Sequence, residues 1–298
     1  MKGAKLYIDM FKVFSDVAET GSFSKAAEIN YISQSAVSQQ ISSLERYYGR
    51  HLILRGRGRF ALTREGKIFL LGCKKILLTN QTLIDQIQAE QSELIQTINF
   101  ESIYSIGFYH LPPHIKSFMK THKKINLHLE YNRSDRIYTN VIHGICDFGV
   151  VAAPWNHPMI EIDLGKKEAL IFACAPSHKL AKKKEINLSD LNNQNFIGFI
   201  KEIPTRRIID NILKNHNINV NIIHEFDNVE TMKQFLELGD GVTLIPKKTI
   251  QKELKEKSLV TTKIKEESFY REIGIITKKD RALSLAAQEV IKHLLISI

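Results

Sequence analysis

Cysteine is scarce: Cys73, Cys146 and Cys174 are the only three in 298 residues, spaced too widely for a Cys-x-x-Cys metal or redox pair. Their odd number argues against a full disulfide framework, so they read as buried apolar thiols. Long apolar runs are missing too. None approaches the roughly 18 residues that a membrane span needs, and after Lys2 and Lys5 the first apolar stretch is broken by Asp9 and Lys12, leaving no export-signal core. A cytoplasmic protein with no membrane partner is expected. No phosphate-binding glycine loop, Gly-x-Ser-x-Gly turn or His-Glu-x-x-His occurs, and no convergent acid, base and nucleophile set emerges, so an enzyme is not expected. His110 and His114 stand four apart as helical metal ligands do, but Pro112-Pro113 between them argues against a shared helical face. Neither a metal nor a cofactor is expected.

Acidic residues are also in deficit, 32 against 42 Lys and Arg, for a net charge of +10. Such an excess makes a polyanion a candidate partner without bearing on fold. At 43% hydrophobic and 25% charged, the composition is that of a folded chain, long enough for two domains or one large one. The charge is uneven. Residues 1–65 hold ten Lys or Arg against six Asp or Glu, and Arg46, Arg50, Arg55, Arg57, Arg59 and Arg64 fall within a stretch that contains no acid. A solvated face would normally intersperse carboxylates, so something negative is expected to dock there.

The periodicities in that segment give three helices and a hairpin. Leu6, Met10, Val13, Phe14 and Val17 follow helical spacing until Gly21. A short second helix is expected to begin near Ser24 as its cap, with Ala26-Ala27 allowing close crossing by another helix. After Asn30-Tyr31-Ile32, Ser33 can cap a third helix whose apolar stripe is Val37, Ile41 and Leu44. Its other face is Gln34, Ser35, Ser38, Gln39 and Ser42. That face is short and uncharged, and its hydrogen-bonding groups suit the base edges of a DNA major groove. Leu52-Ile53-Leu54 and Phe60-Ala61-Leu62 then flank Gly56 and Gly58 as the strands of a small arginine-bearing wing. The pattern is a winged helix-turn-helix. With Ser22, Ser24 and Ser33 at helix starts and Arg55, Arg57 and Arg59 on the wing, these polar residues form the candidate DNA-binding set.

The run Phe14, Gly21-Ser22-Phe23-Ser24, Ala26-Ala27, Ser33-Gln34, Ala36-Val37-Ser38, Ile41, Leu44-Glu45, Gly49, Leu52, Arg55, Arg59, Leu62-Thr63 and Gly66 resembles the N-terminal signature of LysR-type transcriptional regulators. Departures are Ser35 where proline is usual, Tyr31 at an apolar spot and Ile53 for phenylalanine; none removes a DNA-facing group. The resemblance implies binding to inverted-repeat double-stranded promoter DNA by a homodimer or homotetramer. It also implies a metabolite effector and recruitment of RNA polymerase.

From Lys67 to Leu94 there is no proline, and Phe69, Cys73, Ile76, Asn80, Leu83 and Ile87 recur at heptad-like spacing. A long linker and dimerisation helix over 66–98 follows, with Asn80 fixing register; the apolar stripe is wide enough that packing on its own domain is the alternative.

Beyond Asn99, short apolar runs alternate with amphipathic stretches: Ile103 to Phe108, Ile125 to Leu129, Phe148 to Val151, Leu170 to Cys174, Phe196 to Phe199, Val220 to Ile223 and Val242 to Ile245. Alternation of this kind predicts parallel sheets with helices on both faces. The region 99–298 also resembles the effector-binding part of the same family, through Asp147-Phe148-Gly149-Val150 and Gly239-Asp240-Gly241-Val242 leading to Ile245-Pro246. That implies a two-lobed α/β domain built like a periplasmic binding protein, with lobe I at about 101–170 plus 274–298 and lobe II at about 171–273. Ligands of such folds gather at strand ends where helices begin. The junctions here are Tyr109-His110, Arg133-Ser134, Thr205-Arg206 and Asn228. Their hydroxyl and amide groups can cap helices or bind an acid, and His110, Arg133 and Arg206 can neutralise it, so a small anionic metabolite is expected. The competing reading is an α/β small-molecule-binding protein or enzyme with an appended helical N-terminal segment.

Overall fold

The computed structural model describes residues 7–54, 60–89, 96–266 and 268–297. The chain divides near residue 95 into two compact units.

The first unit contains α1 (Ile8–Thr20), α2 (Phe23–Ile29), α3 (Gln34–Tyr48) and the long α4 (Arg64–Ala89). Gly21 ends α1 in the left-handed region at φ 62°, a conformation that costs glycine nothing. The N-cap of α2 is Ser22, whose hydroxyl accepts from the Lys25 amide; Ser24 lies two residues later, inside the helix, and stays exposed. Ser33 caps α3 by accepting from the Ala36 amide at 3.1 Å, as the sequence predicts. The three helices bury Phe14, Val17, Ala26, Val37, Ile41 and Leu44 in one core. Full burial of each larger side chain stabilises by about 1.5–3 kcal/mol. Glu45 is buried on the same side of α3, where its carboxylate accepts the Leu52 and Ile53 amides at 2.9 and 3.3 Å. This pins the first strand of the hairpin, which closes through an Ile53–Leu62 antiparallel bridge and the Leu54 to Ala61 hydrogen bond. Its tip, with Arg55, Arg57 and Arg59, lies outside the described residues.

The heptad-like seam of α4 is split. Phe69 packs edge-on against Phe14, and Cys73 is buried in the core of this unit, whereas Ile76 and Leu83 stay open at 42% and 51% exposure. The first turns of the helix thus serve their own domain. Gly66 sits where α4 crosses the hairpin: a Cβ there would lie 2.0 Å from the Leu52 carbonyl oxygen.

The second unit runs β1 (Gln96–Ser102), α5 (Tyr104–Tyr109), α6 (Leu111–Thr121), β2 (Ile125–Tyr131), α7 (Ser134–His143), β3 (Phe148–Ala152) and β4 (Ile160–Cys174). It continues with β5 (Glu185–Ile186), β6 (Asn195–Phe199), α8 (Pro204–Asn215), β7 (Asn221–Phe226), α9 (Val229–Glu237), β8 (Val242–Pro246), α10 (Gln251–Glu256), β9 (Lys263–Ile264), β10 (Phe269–Lys278) and α11 (Leu285–Ser297). The apolar run Ile103 to Phe108, expected as a strand, is helix α5, and the strand comes earlier, at β1. Period-two and helical readings of so short a run are hard to separate.

An eight-stranded sheet has the strand order β2-β1-β3-β10-β4-β8-β6-β7, and β5 pairs in parallel with β9 in a separate two-stranded sheet. Strands at each end pair in parallel, but the long β4 and β10 pair antiparallel with each other and with their neighbours, so the sheet is mixed rather than purely parallel. These two strands run from one lobe to the other. Leu170 and Phe269 belong to the core of the second lobe, while Ile273 and Ile160 belong to cores of the first.

Gly66→Ala should destabilise the first unit by about 1–3 kcal/mol through overpacking, read as a lowered denaturation midpoint. Gly72→Ala in the same helix meets nothing within 4 Å and should be neutral or stabilise by up to about 1 kcal/mol.

Candidate functional site

Two surfaces concentrate the polar residues singled out in the sequence. On the first unit, α3 buries Val37, Ile41 and Leu44 and turns Gln34, Ser35, Ser38 and Gln39 fully outward, with Ser42 half-buried beside them. These five, with Ser43 and Arg46, line one shallow concave surface. Ser33 caps the helix and also lies 2.9 Å from the Ser35 hydroxyl, which orders the first turn of this face. Ser22 is engaged as the cap of α2, and Ser24 is exposed on the first turn of that helix. Ser43 and Arg46 are additions to the set read from sequence; Arg46 falls four residues after Ser42, the helical spacing that gives it away. The surface is neutral but for this arginine, has the width of one helix and is built of donors and acceptors. It can enter a major groove and pair with base edges.

On the second unit, a cavity of about 500 Å³ opens between the lobes. Of the expected ligand residues, Arg133, Ser134, Thr205 and Asn228 line it. They stand at the N-terminal ends of α7, α8 and α9, where unpaired amides favour negative charge. Asn228 also caps α9 by accepting from the Thr231 amide at 2.9 Å. Tyr104 and Tyr131, stacked at 5.1 Å, form an aromatic side to the cavity. Gly107 makes room for them, since a Cβ there would come within 2.1 Å of the Tyr131 ring.

Three expected residues are not among those that line the cavity, and each is held by protein groups. Arg206 donates to the Phe199 carbonyl, to Glu225 at 2.5 Å and to Asp210 at 2.7 Å. Tyr109 donates to Glu230 and accepts from Lys233 Nζ, which also reaches Glu253 at 2.8 Å. Burial, reinforced by the bond to Glu230, pushes the Tyr109 hydroxyl up to about 12. His110 is buried with Nε2 2.9 Å from Glu168, and its Nδ1 lies 3.3 Å from Lys248 Nζ. An ammonium can only donate, so Nδ1 is the acceptor and Nε2 carries the proton toward Glu168.

At the floor of the cavity lies a residue that sequence reading missed. Arg271 on β10 faces Glu168 on β4 as a direct cross-strand pair, and both are buried. Its Nε and Nη2 donate to Glu168 Oε2 at 2.9 and 2.7 Å. It also donates to Ser105 on α5 and to Thr205 on α8, each at 3.0 Å. A signal exists in hindsight: Arg271 is in phase with Phe269, Ile273 and Ile275, and Glu168 with Leu170, Phe172 and Cys174. A charge on the apolar phase of a strand is a mark of burial with a partner. Burial alone would raise the Glu168 carboxyl, but the hydrogen bond from His110 together with the charge and hydrogen bonds of Arg271 outweighs it and holds it down to about 2.

Comparison with known proteins matches this pair of surfaces to a class in which a DNA-binding helix-turn-helix is joined to a ligand-binding α/β domain. Residues 8–67 match the bacterial regulatory helix-turn-helix protein, lysR family, and residues 91–296 match the LysR substrate binding domain. The "Probable RuBisCO transcriptional regulator" of Thalassiosira pseudonana is 30% identical over 291 residues, covering 94% of each chain. The crystal structure of CbnR, a LysR family transcriptional regulator, superposes with a TM-score of 0.78 at 20% identity, covering 97% of this chain and 98% of that one. Full-length CbnR complexed with its target DNA gives a TM-score of 0.75, also at 20% identity, over 97% and 100% of the two chains. The chain belongs to the LysR family of transcriptional regulators; it is a DNA-binding regulator with an effector-binding domain and not an enzyme. Among the described residues no helix is long and apolar enough to cross a membrane.

A carboxylate whose folded value is depressed contributes stability above its unfolded value of 4.5 and loses it as pH falls toward about 2. Unfolding free energy measured between pH 5 and pH 2.5 should therefore decline more steeply for the wild-type chain than for Glu168→Gln, which has no carboxylate to titrate at this position. Parallel curves would contradict the assignment.

Proposed function

We propose that the protein binds inverted-repeat promoter sites in a sequence-specific way, as a homodimer or homotetramer, and that a small anionic metabolite in the inter-lobe cavity modulates that binding. The observation that carries the DNA half is the neutral face of α3, exposed along Gln34, Ser35, Ser38 and Gln39 while the opposite stripe is buried. Residues 1–65 act as the DNA-binding domain; the linker expected over 66–98 dimerises through α4, which ends at Ala89, and the effector domain expected from 99 opens earlier, with β1 at Gln96. Its lobe I lies at about 101–170 and 274–298 and lobe II at about 171–273. Gln34, Ser35, Ser38, Gln39 and Ser42 meet bases, Ser22, Ser24 and Ser33 support the approach, and Arg55, Arg57 and Arg59 hold phosphates or a minor groove. The exposed Ile76 and Leu83 of α4 supply an apolar strip for a second copy of the chain. In the cavity, Arg133, Ser134, Thr205 and Asn228 contact the anion, with Tyr109, His110 and Arg206 fixing the walls behind them. Recruitment of RNA polymerase follows in the cytoplasm of a bacterial cell, where promoter DNA lies.

Gln39→Ala is expected to weaken specific binding by about 1–3 kcal/mol while sparing non-specific duplex, if Gln39 makes a bidentate base contact. Arg59→Ala should weaken binding to every sequence and lower the salt slope by about 1. Titrations by fluorescence anisotropy at several salt concentrations separate the two patterns, and an unchanged slope for Arg59→Ala would refute the wing assignment. Leu83→Glu places a charge in the apolar strip and should shift the assembly toward monomer in sedimentation; an unaltered oligomer would remove α4 from the interface.

A further inference from the structure

The turn between α2 and α3 carries one residue that folding alone does not explain. Tyr31 has φ 54°, in the left-handed region, and among the described non-glycine residues at positive φ it alone is aromatic. It stands 96% exposed. The backbone around it is a glycine-type helix stop: the Tyr31 amide donates to the Glu28 carbonyl at 3.2 Å and the Ile32 amide to the Ala27 carbonyl at 3.1 Å. Glycine takes that conformation freely, whereas a bulky side chain is strained in it. A ring left in water recovers nothing through burial.

Both neighbours are fixed. The Asn30 side-chain amide donates to Asp16 at 2.6 Å and to the Ala26 carbonyl at 2.9 Å, and its oxygen accepts from Lys12 Nζ at 2.7 Å. Ile32 packs against the core of the unit, and Ser33 caps α3 at 3.1 Å. The tyrosine is thus held outward between two anchored residues.

Strain of this kind collects where the strained group is used. In a helix-turn-helix the first helix of the motif crosses the phosphate backbone, and the N-terminal residues of the second meet base edges in the major groove. Tyr31 joins those two helices, two residues before the cap of α3 and three before Gln34, which places it beside the backbone that walls the groove. No Asp or Glu occurs from Ile29 to Leu44 to repel a phosphate there. A phenol donates one hydrogen bond to a phosphate oxygen without bringing a charge.

We propose that Tyr31 contacts DNA, its hydroxyl donating to a backbone phosphate at the edge of the groove that α3 enters. The inference rests on the groove-facing reading of α3 and adds a contact that sets the register of that helix without reading sequence. The turn gives up stability to make it.

The test pairs stability with affinity in the full chain, using the duplex immediately upstream of the coding region and a scrambled duplex of equal length as anisotropy probes. Tyr31→Gly relieves the backbone and should raise the thermal midpoint by about 2–4 °C while weakening binding to both duplexes about tenfold, the loss of a hydrogen bond to a charged group. A merely structural tyrosine would not move the two readouts in opposite directions. Tyr31→Phe keeps the ring and removes only the hydroxyl; it should show the same loss of affinity at an unchanged midpoint. For both variants the dependence of affinity on salt should keep the wild-type slope, because a neutral phenol releases no counterion.

Wild-type affinity in Tyr31→Phe would overturn the proposal, and so would a loss confined to the upstream duplex, which would mark a base contact. A lowered midpoint in Tyr31→Gly would remove the strain on which it stands. Reduced promoter output in cells at unaltered DNA affinity would assign the residue to a protein partner instead. Equal wild-type binding to the two duplexes would defeat sequence reading by α3 and leave the two variants to decide Tyr31; wild-type binding to neither would overturn both.

Discussion

A helix with Val37, Ile41 and Leu44 along one side can lie in only one orientation on a small core, and that constraint governs everything the first unit does. Burying the stripe forces the opposite side, made of amides and hydroxyls, into solvent. Ser33 fixes where the helix starts, and Glu45 ties its later turns to the hairpin by taking two backbone amides. Because Glu45 is on the buried side, the hairpin is placed relative to α3 without spending any residue of the exposed face. Recognition and folding therefore use separate sides of one element.

The effector unit solves a different problem, that of joining two lobes through shared strands. Its two long antiparallel strands carry apolar residues into both cores, and where they cross from one to the other they hold Arg271 against Glu168. Breaking a buried pair by removing one partner costs about 3–5 kcal/mol, because the other charge is stranded. The pair is thus hard to alter, yet it ends on two light contacts, one hydroxyl from each lobe.

Much of the molecule was legible in the sequence, and the failures have physical causes. Local signals carried well: Gly21 stopped a helix, Ser33 capped one, and the alternating runs gave most of the strands. The cap of α2 slipped from Ser24 to Ser22 because two serines bracket Phe23 and capping chemistry alone does not choose between them. The run at Ile103 was too short to separate helix from strand. In the cavity, residue types at helix starts pointed to Thr205 and Asn228, but Arg206 has acids both four and nineteen residues away, and these occupy it. Glu168 and Arg271 are 103 residues apart and meet only through strand register, which no local pattern encodes. The seam of α4 was half hidden for the same reason, since Phe69 and Cys73 are claimed by their own domain.

Retardation of the promoter duplex immediately upstream of the coding region by the purified full chain, in competition with a scrambled duplex of equal length at physiological salt, tests the central claim most directly. The account predicts preference for the promoter by a factor of about a thousand or more, lost when the half-sites are scrambled. Equal retention of both duplexes, or of neither, would contradict the reading of α3 as a base-reading helix.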